Sequence, residues 1–376
     1  MEKVNKKVLF TSHTANFQKF NRPFMRMLKQ QGYIIHYASA GEEKVSDTDR
    51  HFNVPFERNP LKLGNIKAYF KLKKIINDEK YDFIHTHTPM GSVITRLAAI
   101  RSRKHGTRVI YTAHGFHFFK GAPIANWLVY YPIEKFMARF TDTLITINKE
   151  DYERATKSFK TDVRYVPGVG IDEARFSIMM SKDTRRKLRE SLNLEESAFI
   201  MIYVAELSER KNQLWLIQSL AGYIKSNPDV QLLLVGNDNL ASKCQKLVEK
   251  LQLDSQIHFL GYRSDIPELM KMSDLAISSS KQEGLPVNVM EAMQLGLPVI
   301  VTDCRGNRDL IVDELNGYVV ALNDEENLVS KILQLKNNKA LITRISANNK
   351  KESHSFSLPK IEAVMQGIYY EGISDV

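Results

Sequence analysis

Short β-branched, apolar runs alternate with longer stretches of helical period from residue 7 to residue 302. The strand-like runs fall at 7–12, 33–39, 82–87, 108–113, 144–148 and 163–167, and helical stretches at 20–31, 65–78, 91–104 and 124–140 lie between them. Strands joined through helices cannot pair as hairpins, so each such unit is a crossover between parallel strands. Repetition of that unit requires helices on both faces of a parallel sheet. The Gly- and Pro-rich segment VPGVGIDEARF, residues 166–176, has no periodicity and reads as a boundary. The alternation then starts again. Strands are expected at 199–205, 230–236, 257–260, 275–280 and 299–302, with helices at 182–191, 213–225, 242–250, 265–272 and from Pro286 to about Leu295. A last helix is expected at 358–370. A chain of 376 residues suits two such domains, 1–170 with 355–376 and 171–354.

Composition narrows the class. An apolar fraction of 43% and a charged fraction of 26% are those of an ordinary globular chain. Two cysteines, Cys244 and Cys304, are too few for a disulfide framework and fit a reducing compartment. No Cys/His cluster has the spacing of a metal site. No run approaches the roughly 18–20 apolar residues that span a bilayer, and the opening MEKVNKKVLFTS lacks the features of a cleaved leader. A cytoplasmic protein, peripheral to the membrane at most, is therefore expected. The formal net charge of +10 favours anionic ligands or an anionic surface. Interleaved aromatic and basic residues of a nucleic-acid binder are missing. A nicotinamide-dependent oxidoreductase would need G-x-G-x-x-G after the first strand, and no glycine occurs between Lys7 and Gly32.

Candidate chemistry sits after the strands. Glu283 and Glu291 are eight residues apart, on the order of 12 Å along a helix axis, and bracket the helix of a strand–turn–helix at 278–295, with Glu283 just before it. The first amides of that helix, near Val287 and Asn288, lack internal partners and suit a phosphate or sugar oxygen. Pro286 is placed as its first residue, where a missing N–H costs nothing; Gly296 and Pro298 end it. After the strand at 199–205 come Arg210 and Lys211, cations suited to charge building on a departing diphosphate. His114 ends the strand at 108–113, where it can donate to a sugar hydroxyl. His87, on a neighbouring strand end, and His117 are candidates for which core packing is the alternative. The first turn offers Thr14 and Asn16 for donor contacts, or is a plain loop. The aromatic helix at 126–140 either packs on the sheet or accommodates a lipid-linked acceptor. Lys/Arg excess at 62–74 and 96–108 either faces anionic lipid or is simply solvated.

The run Glu283-Gly284-Leu285-Pro286, then Glu291-Ala292-Met293, then Gly296 and Pro298-Val299-Ile300 closely resembles the signature of retaining nucleotide-sugar glycosyltransferases of family 4. That family has the GT-B fold: two Rossmann-like domains face a deep interdomain cleft, and a C-terminal helix crosses back to the first. The 166–176 segment resembles its P-x-G-[IV]-D-x-x-x-F link. The resemblance places Lys211 on a phosphate-clamping lysine, with Glu206 standing where the family has arginine and Arg210 available to replace that charge. It assigns Glu283 to positioning the donor sugar, His114 to supporting it and Glu291 to the ribose hydroxyls. Tyr262 and Arg263 fall in the segment whose backbone reads the base, and Gly284, Leu285, Val287 and Asn288 in the donor-binding turn. Leu285-Pro286 departs from the usual Phe-Gly and removes one amide donor. Residues 111–152 further resemble members acting in capsule and exopolysaccharide assembly. The implied activity is that of a metal-independent hexosyltransferase without a cofactor, using a UDP-sugar and a polyprenyl-diphosphate-linked glycan. A UDP-sugar epimerase of similar fold or a basic binding protein is the alternative.

Overall fold

The computed structural model describes residues 6–371. Expectations for residues 1–5, the start of the supposed leaderless terminus, and for 372–376 lie outside the described residues. The chain forms two compact units, Met1–Val169 with Ile361–Val376, and Gly170–Lys360.

The first unit holds a seven-stranded sheet, β1 (Lys7–Thr14), β2 (Ile34–Ala40), β3 (Arg50–Asn53), β4 (Phe83–His87), β5 (Arg108–Ala113), β6 (Thr143–Thr146) and β7 (Asp162–Tyr165). Their order is β3-β2-β1-β4-β5-β6-β7, and every neighbouring pair is parallel. Side chains alternate across the strands. Val8, Phe10, Ile35, Tyr37, Phe83, Ile110 and Ile145 meet helix Gln18–Gln30 and the C-terminal helix Leu358–Tyr370 on one face. Leu9, Ile84 and Val109 meet helices Gly64–Glu79 and Pro89–Ala98 on the other. Tyr111, Ala113 and Leu144 continue that second face under Trp127 and Tyr131 of helix Ile124–Met137.

The second unit repeats the pattern with β8 (Phe199–Val204), β9 (Val230–Val235), β10 (Ile257–Gly261), β11 (Leu275–Ser278), β12 (Val299–Thr302) and β13 (Tyr318–Val320). The order is β10-β9-β8-β11-β12-β13, again all parallel. In each sheet the direction of strand addition reverses beside the first strand, between β1 and β4 and between β8 and β11. The carboxyl ends flanking such a switch point are where doubly wound sheets hold ligands.

Local departures have physical causes. β3 was not expected: it is a four-residue edge strand, RHFN, without a buried side chain to create an alternation. Nor was the highly charged helix Lys149–Ser158, which buries only Asp151 and Ala155. β13 and helices Glu325–Lys336 and Lys339–Ser353 fill a stretch, 303–357, for which no element was expected. Pro286 is not the first helical residue: its ψ of 116° is extended, and the helix begins one residue later as Val287–Gln294. β11 ends at Ser278, so Ser279 and Ser280 leave the sheet with buried side chains.

Candidate active site

In the second unit the segments after β8 and β11 meet. Lys211 Nζ lies 2.5 Å from Glu283 Oε1, Arg210 Nη1 lies 3.1 Å from Oε2, and Ser280 Oγ donates to Oε1 at 2.6 Å. Tyr203, on β8, donates its hydroxyl to the Lys211 carbonyl at 3.1 Å and lies 2.8 Å from Ser280 Oγ. Ser279 Oγ also donates to the Lys211 carbonyl, at 2.9 Å. These bonds fix the backbone on both sides of the ion pair. Glu283 and Lys211 are buried, whereas Arg210 is 43% exposed and also reaches Glu206 at 3.3 Å. Burial pushes the Glu283 carboxyl upward, but the Lys211 and Arg210 charges with the bonds from Lys211 and Ser280 outweigh it and hold it below the usual range. Glu283 is thus an anion at neutral pH.

Arg305, which sequence reasoning missed, is buried and donates Nε to the Glu283 carbonyl at 3.0 Å. Gly306 follows with φ of +82°, and a Cβ there would sit 2.4 Å from the Gly284 carbonyl oxygen. Both hold the 283–284 turn from behind. Cys304 is buried beside them; burial, then the Glu283 charge, pushes its thiol up to about 12. It stays a protonated, unreactive group.

Val287 and Asn288 form the first turn of helix Val287–Gln294, where their amides have no intrahelical acceptor. Leu285 is buried and Gly284 half-buried in the turn before it. Glu291, half-buried farther along this helix, has no hydrogen bond to its carboxylate among the described residues. Burial raises its pKa to about 7, against the opposing charge of Arg175. Arg175, another residue sequence reasoning missed, also donates to the Ser264 carbonyl at 3.5 Å. Its charge is thereby held beside the turn carrying Tyr262 and Arg263. Tyr262 is exposed, and Arg263 is held bidentately by Asp265 at 2.8 and 2.6 Å. Neither touches the Glu283 cluster.

The first unit gathers histidines at its own switch point. His87 Nδ1 lies 3.1 Å from His114 Nε2. The His85 ring lies 4.1 Å from that of His87, tilted by 44°, and is held by the Tyr369 hydroxyl and Thr112 Oγ1, each at 2.8 Å. Burial lowers His114 to about 4 and His85 to about 3, and drives His87 well down. All three are neutral at pH 7, so one nitrogen of the His87–His114 contact donates and the other accepts. His87 Nε2 is buried without a partner. An unmet acceptor is tolerated better than an unmet N–H. That favours His87 donating from Nδ1, which leaves the His114 proton on Nδ1.

Phe17 and Phe20 pack on His114, with ring centroids 4.8 and 6.0 Å away. Thr14, half-buried at the end of β1, and the exposed Asn16 in the turn that follows make no side-chain hydrogen bond to His85, His87 or His114 among the described residues. His117 lies apart from His114, stacked 4.6 Å from Tyr130. Among the described residues no group of three or more His, Cys, Asp or Glu side chains could hold a metal ion.

Comparison with known proteins places the chain in a family. Residues 184–352 match the model of the glycosyl transferases group 1 family, and residues 7–148 match that of the glycosyl transferase 4-like family. "Putative glycosyltransferase EpsD" of Bacillus subtilis is 39% identical over 97% of this chain and 97% of its own. The "UDP-Gal:alpha-D-GlcNAc-diphosphoundecaprenol alpha-1,3-galactosyltransferase" of Escherichia coli is 30% identical over 91% of this chain and 87% of its own. The crystal structure of Anabaena Alr3699/HepE in complex with UDP and glucose superposes with a TM-score of 0.79 at 20% identity, over 97% of this chain and 99% of that one. By sequence and by fold, therefore, this chain belongs to the family 4 glycosyltransferases of the GT-B type.

Proposed function

We propose that the enzyme transfers a hexose or N-acetylhexosamine from a UDP-sugar to a glycan carried on a polyprenyl diphosphate, with retention of the α configuration. The observation that carries this reading is the buried Lys211–Glu283 pair, with Arg210 at its open side, at the carboxyl ends of β8 and β11. A diphosphate arriving there meets two cations and the free amides of Val287 and Asn288. The Escherichia coli relative, named for a UDP-Gal donor and a diphosphoundecaprenol acceptor, and the UDP-bound Anabaena structure support the donor and acceptor classes.

In the proposed reaction the bond from sugar C1 to the diphosphate oxygen breaks and its electron pair leaves with UDP. Lys211 and Arg210 stabilise the charge that builds on that oxygen. The acceptor hydroxyl attacks C1 from the same face, and its proton passes to the departing diphosphate. Retention then needs no protein nucleophile. Glu283, held by Lys211 and Ser280, orients the donor sugar, and Glu291 accepts from the ribose hydroxyls. His114, with its proton on Nδ1, donates to the transferred sugar. Tyr262 and Arg263 offer backbone groups to the base, and Thr14 and Asn16 lie at the first unit's switch point for contacts with the sugar phosphate. No metal or cofactor takes part in this scheme. The protein works as a peripheral enzyme at the inner face of the cell membrane, in the assembly of a capsule or exopolysaccharide. UDP release across UDP- and GDP-sugars, with and without a polyprenyl-diphosphate saccharide, tests the reading. Release should require both a UDP-sugar and the acceptor, and NMR of the product should show an α linkage. An epimerised nucleotide sugar formed without acceptor would replace transfer by epimerisation.

A further inference from the structure

Helix Ile124–Met137 sets Trp127, Tyr131 and one carboxylate against the sheet and leaves a further apolar face outside. The buried residues of its inner face include a carboxylate, Glu134, together with Met137. Glu134 accepts from Arg96 Nη2 at 3.0 Å and from the Tyr111 hydroxyl at 3.4 Å, and the Arg96 guanidinium, itself buried, lies 4.3 Å from the Tyr111 ring. This bonding locks the rotation of the helix. It leaves Ile124, Leu128, Val129, Ile133 and Phe136 between 43% and 77% exposed. A helix packed only to fill a core would turn those residues inward.

A second apolar group stands on the same side of the unit. Leu61, Leu63, Ile66 and Phe70, at the start of helix Gly64–Glu79, are 55–89% exposed. Helix Pro89–Ala98 packs against that helix and carries Arg96 to Glu134, so the three helices cover one face of the sheet in a row. A crossover helix runs antiparallel to its strands. The starts of the two outer helices therefore lie toward the carboxyl edge, the edge that carries His87 and His114.

The charge around these residues is mainly positive, although the exposed Glu57 lies against Gly64 and Glu150 accepts from the Lys120 amide. Residues 58–77 contain Arg58, Lys62, Lys67, Lys71, Lys73 and Lys74 and no acid. Residues 119–141 contain Lys120, Lys135 and Arg139, and their one acid is the buried Glu134. Apolar side chains ringed by lysines match a bilayer interface with anionic headgroups. A protein partner with an acidic rim, or a second copy, would be a different occupant.

We infer that this face, built from residues 61–70 and 124–136, seats the first unit on an anionic phospholipid bilayer. The apolar side chains enter the acyl boundary, the lysines lie among the headgroups, and the histidine edge stays near the membrane surface. A lipid-anchored acceptor, as read above, would then be met where it resides. Binding of the bilayer does not itself depend on that reading.

The test is flotation of the full chain with vesicles of phosphatidylcholine, with and without about one-third phosphatidylglycerol. Wild type should float with the anionic vesicles, and added salt should weaken the binding. Leu128→Glu/Ile133→Glu and Lys67→Glu/Lys71→Glu should each lower the partition coefficient at least about tenfold, as the loss of roughly a kcal/mol per lysine implies. Met179→Glu, at an exposed apolar side chain of the second unit, should leave it unchanged. The substituted side chains are exposed, so near-ultraviolet circular dichroism and melting temperature should not move. UDP release to a short-chain, water-soluble acceptor should also be unchanged in these variants. If wild type floats but transfers to no acceptor, the proposed reaction fails and the docking surface stands. Failure of wild type to float, or equal flotation by all variants, overturns the surface. So does light scattering that shows a wild-type dimer broken by the same substitutions, which would assign the face to a second copy.

Discussion

Removing the charge of Glu283 tests the centre of the site. In Glu283→Gln the Lys211 ammonium stays buried opposite a neutral amide. Stripping one partner from a buried ion pair costs about 3–5 kcal/mol. Because the glutamine carbonyl still accepts from Lys211, the lower end, about 3 kcal/mol, is expected. Arg210 adds little to that figure, since it is 43% exposed and solvent screens its contact. Lys211→Met leaves the Glu283 carboxylate with Arg210 and Ser280, so a smaller loss of about 2 kcal/mol is expected. In the double variant neither charge is stranded. Its loss should fall short of the sum by about 2 kcal/mol, within the range for residues in direct contact. Scanning calorimetry of the full chain at pH 7.5 provides the measurement. Each kcal/mol should lower the melting temperature of the second unit by roughly 2–4 °C. At that pH the depressed carboxyl of Glu283 is ionised, and the stability it contributes is lost only as pH falls below about 4.5 and through its lower folded value. In parallel, each single variant should cut UDP release at least about tenfold, or ~1.4 kcal/mol of barrier. Losses that add within about 0.5 kcal/mol would show that the two side chains do not form a buried pair. Unchanged turnover in folded single variants would remove both from the chemistry.

Acid should unfold the first unit early. His85, His87 and His114 have folded values far below 6.5, so as pH falls from about 6.5 toward 4 the unfolded chain takes up protons that the folded one does not. Stability then falls by at most about 1.4 kcal/mol per pH unit for each histidine, less for the partly accessible His114; a melting temperature flat between pH 7 and 5 would contradict the buried cluster. Glu291 shifts the opposite way, to about 7 from 4.5, so its contribution to stability falls as pH rises through that window. Ribose hydroxyls that bind its carboxylate should drive off its proton, on the order of half a proton per UDP bound at pH 7. Calorimetric titration in buffers of different ionisation enthalpy should detect this in wild type and not in Glu291→Gln, and identical release in both would exclude the contact. Gly306→Ala forces a Cβ onto the Gly284 carbonyl at positive φ and should cost about 1–3 kcal/mol while slowing UDP release. Wild-type melting and turnover in that variant would show that the 283–284 turn needs no support from Gly306.

Much of both sheets was legible because a strand buried on both faces must be a short apolar run, as in FIMIYV or VQLLLV. The same logic hides β3, whose side chains are exposed or half-buried and owe their pairing to the neighbouring strand rather than to their own pattern. Glu283 and Lys211 stand out in the sequence because each follows a strand and adjoins residues that break it, yet their contact spans 72 positions. Ser280, Tyr203 and Arg305 were not legible. Tyr203 and Arg305 act on backbone carbonyls and Ser280 on the Glu283 carboxylate, and such bonds leave no charge pattern or periodicity. Strand alternation puts His85 and His87 on one face, but His114 reaches His87 because β4 and β5 pair in the register His87↔Thr112. Tyr369, which fixes His85 across 284 positions, could be found only once the final helix had been placed on the first sheet.

The most direct test of the catalytic account is UDP formation by the purified enzyme, with a polyprenyl-diphosphate saccharide as acceptor and a panel of UDP- and GDP-sugars as donors. One UDP-sugar should yield UDP in step with an α-linked product, and Lys211→Ala should suppress both at least about tenfold. UDP-sugars left intact beside the acceptor across the panel, or transfer at wild-type rate by the folded Lys211→Ala variant, would contradict it.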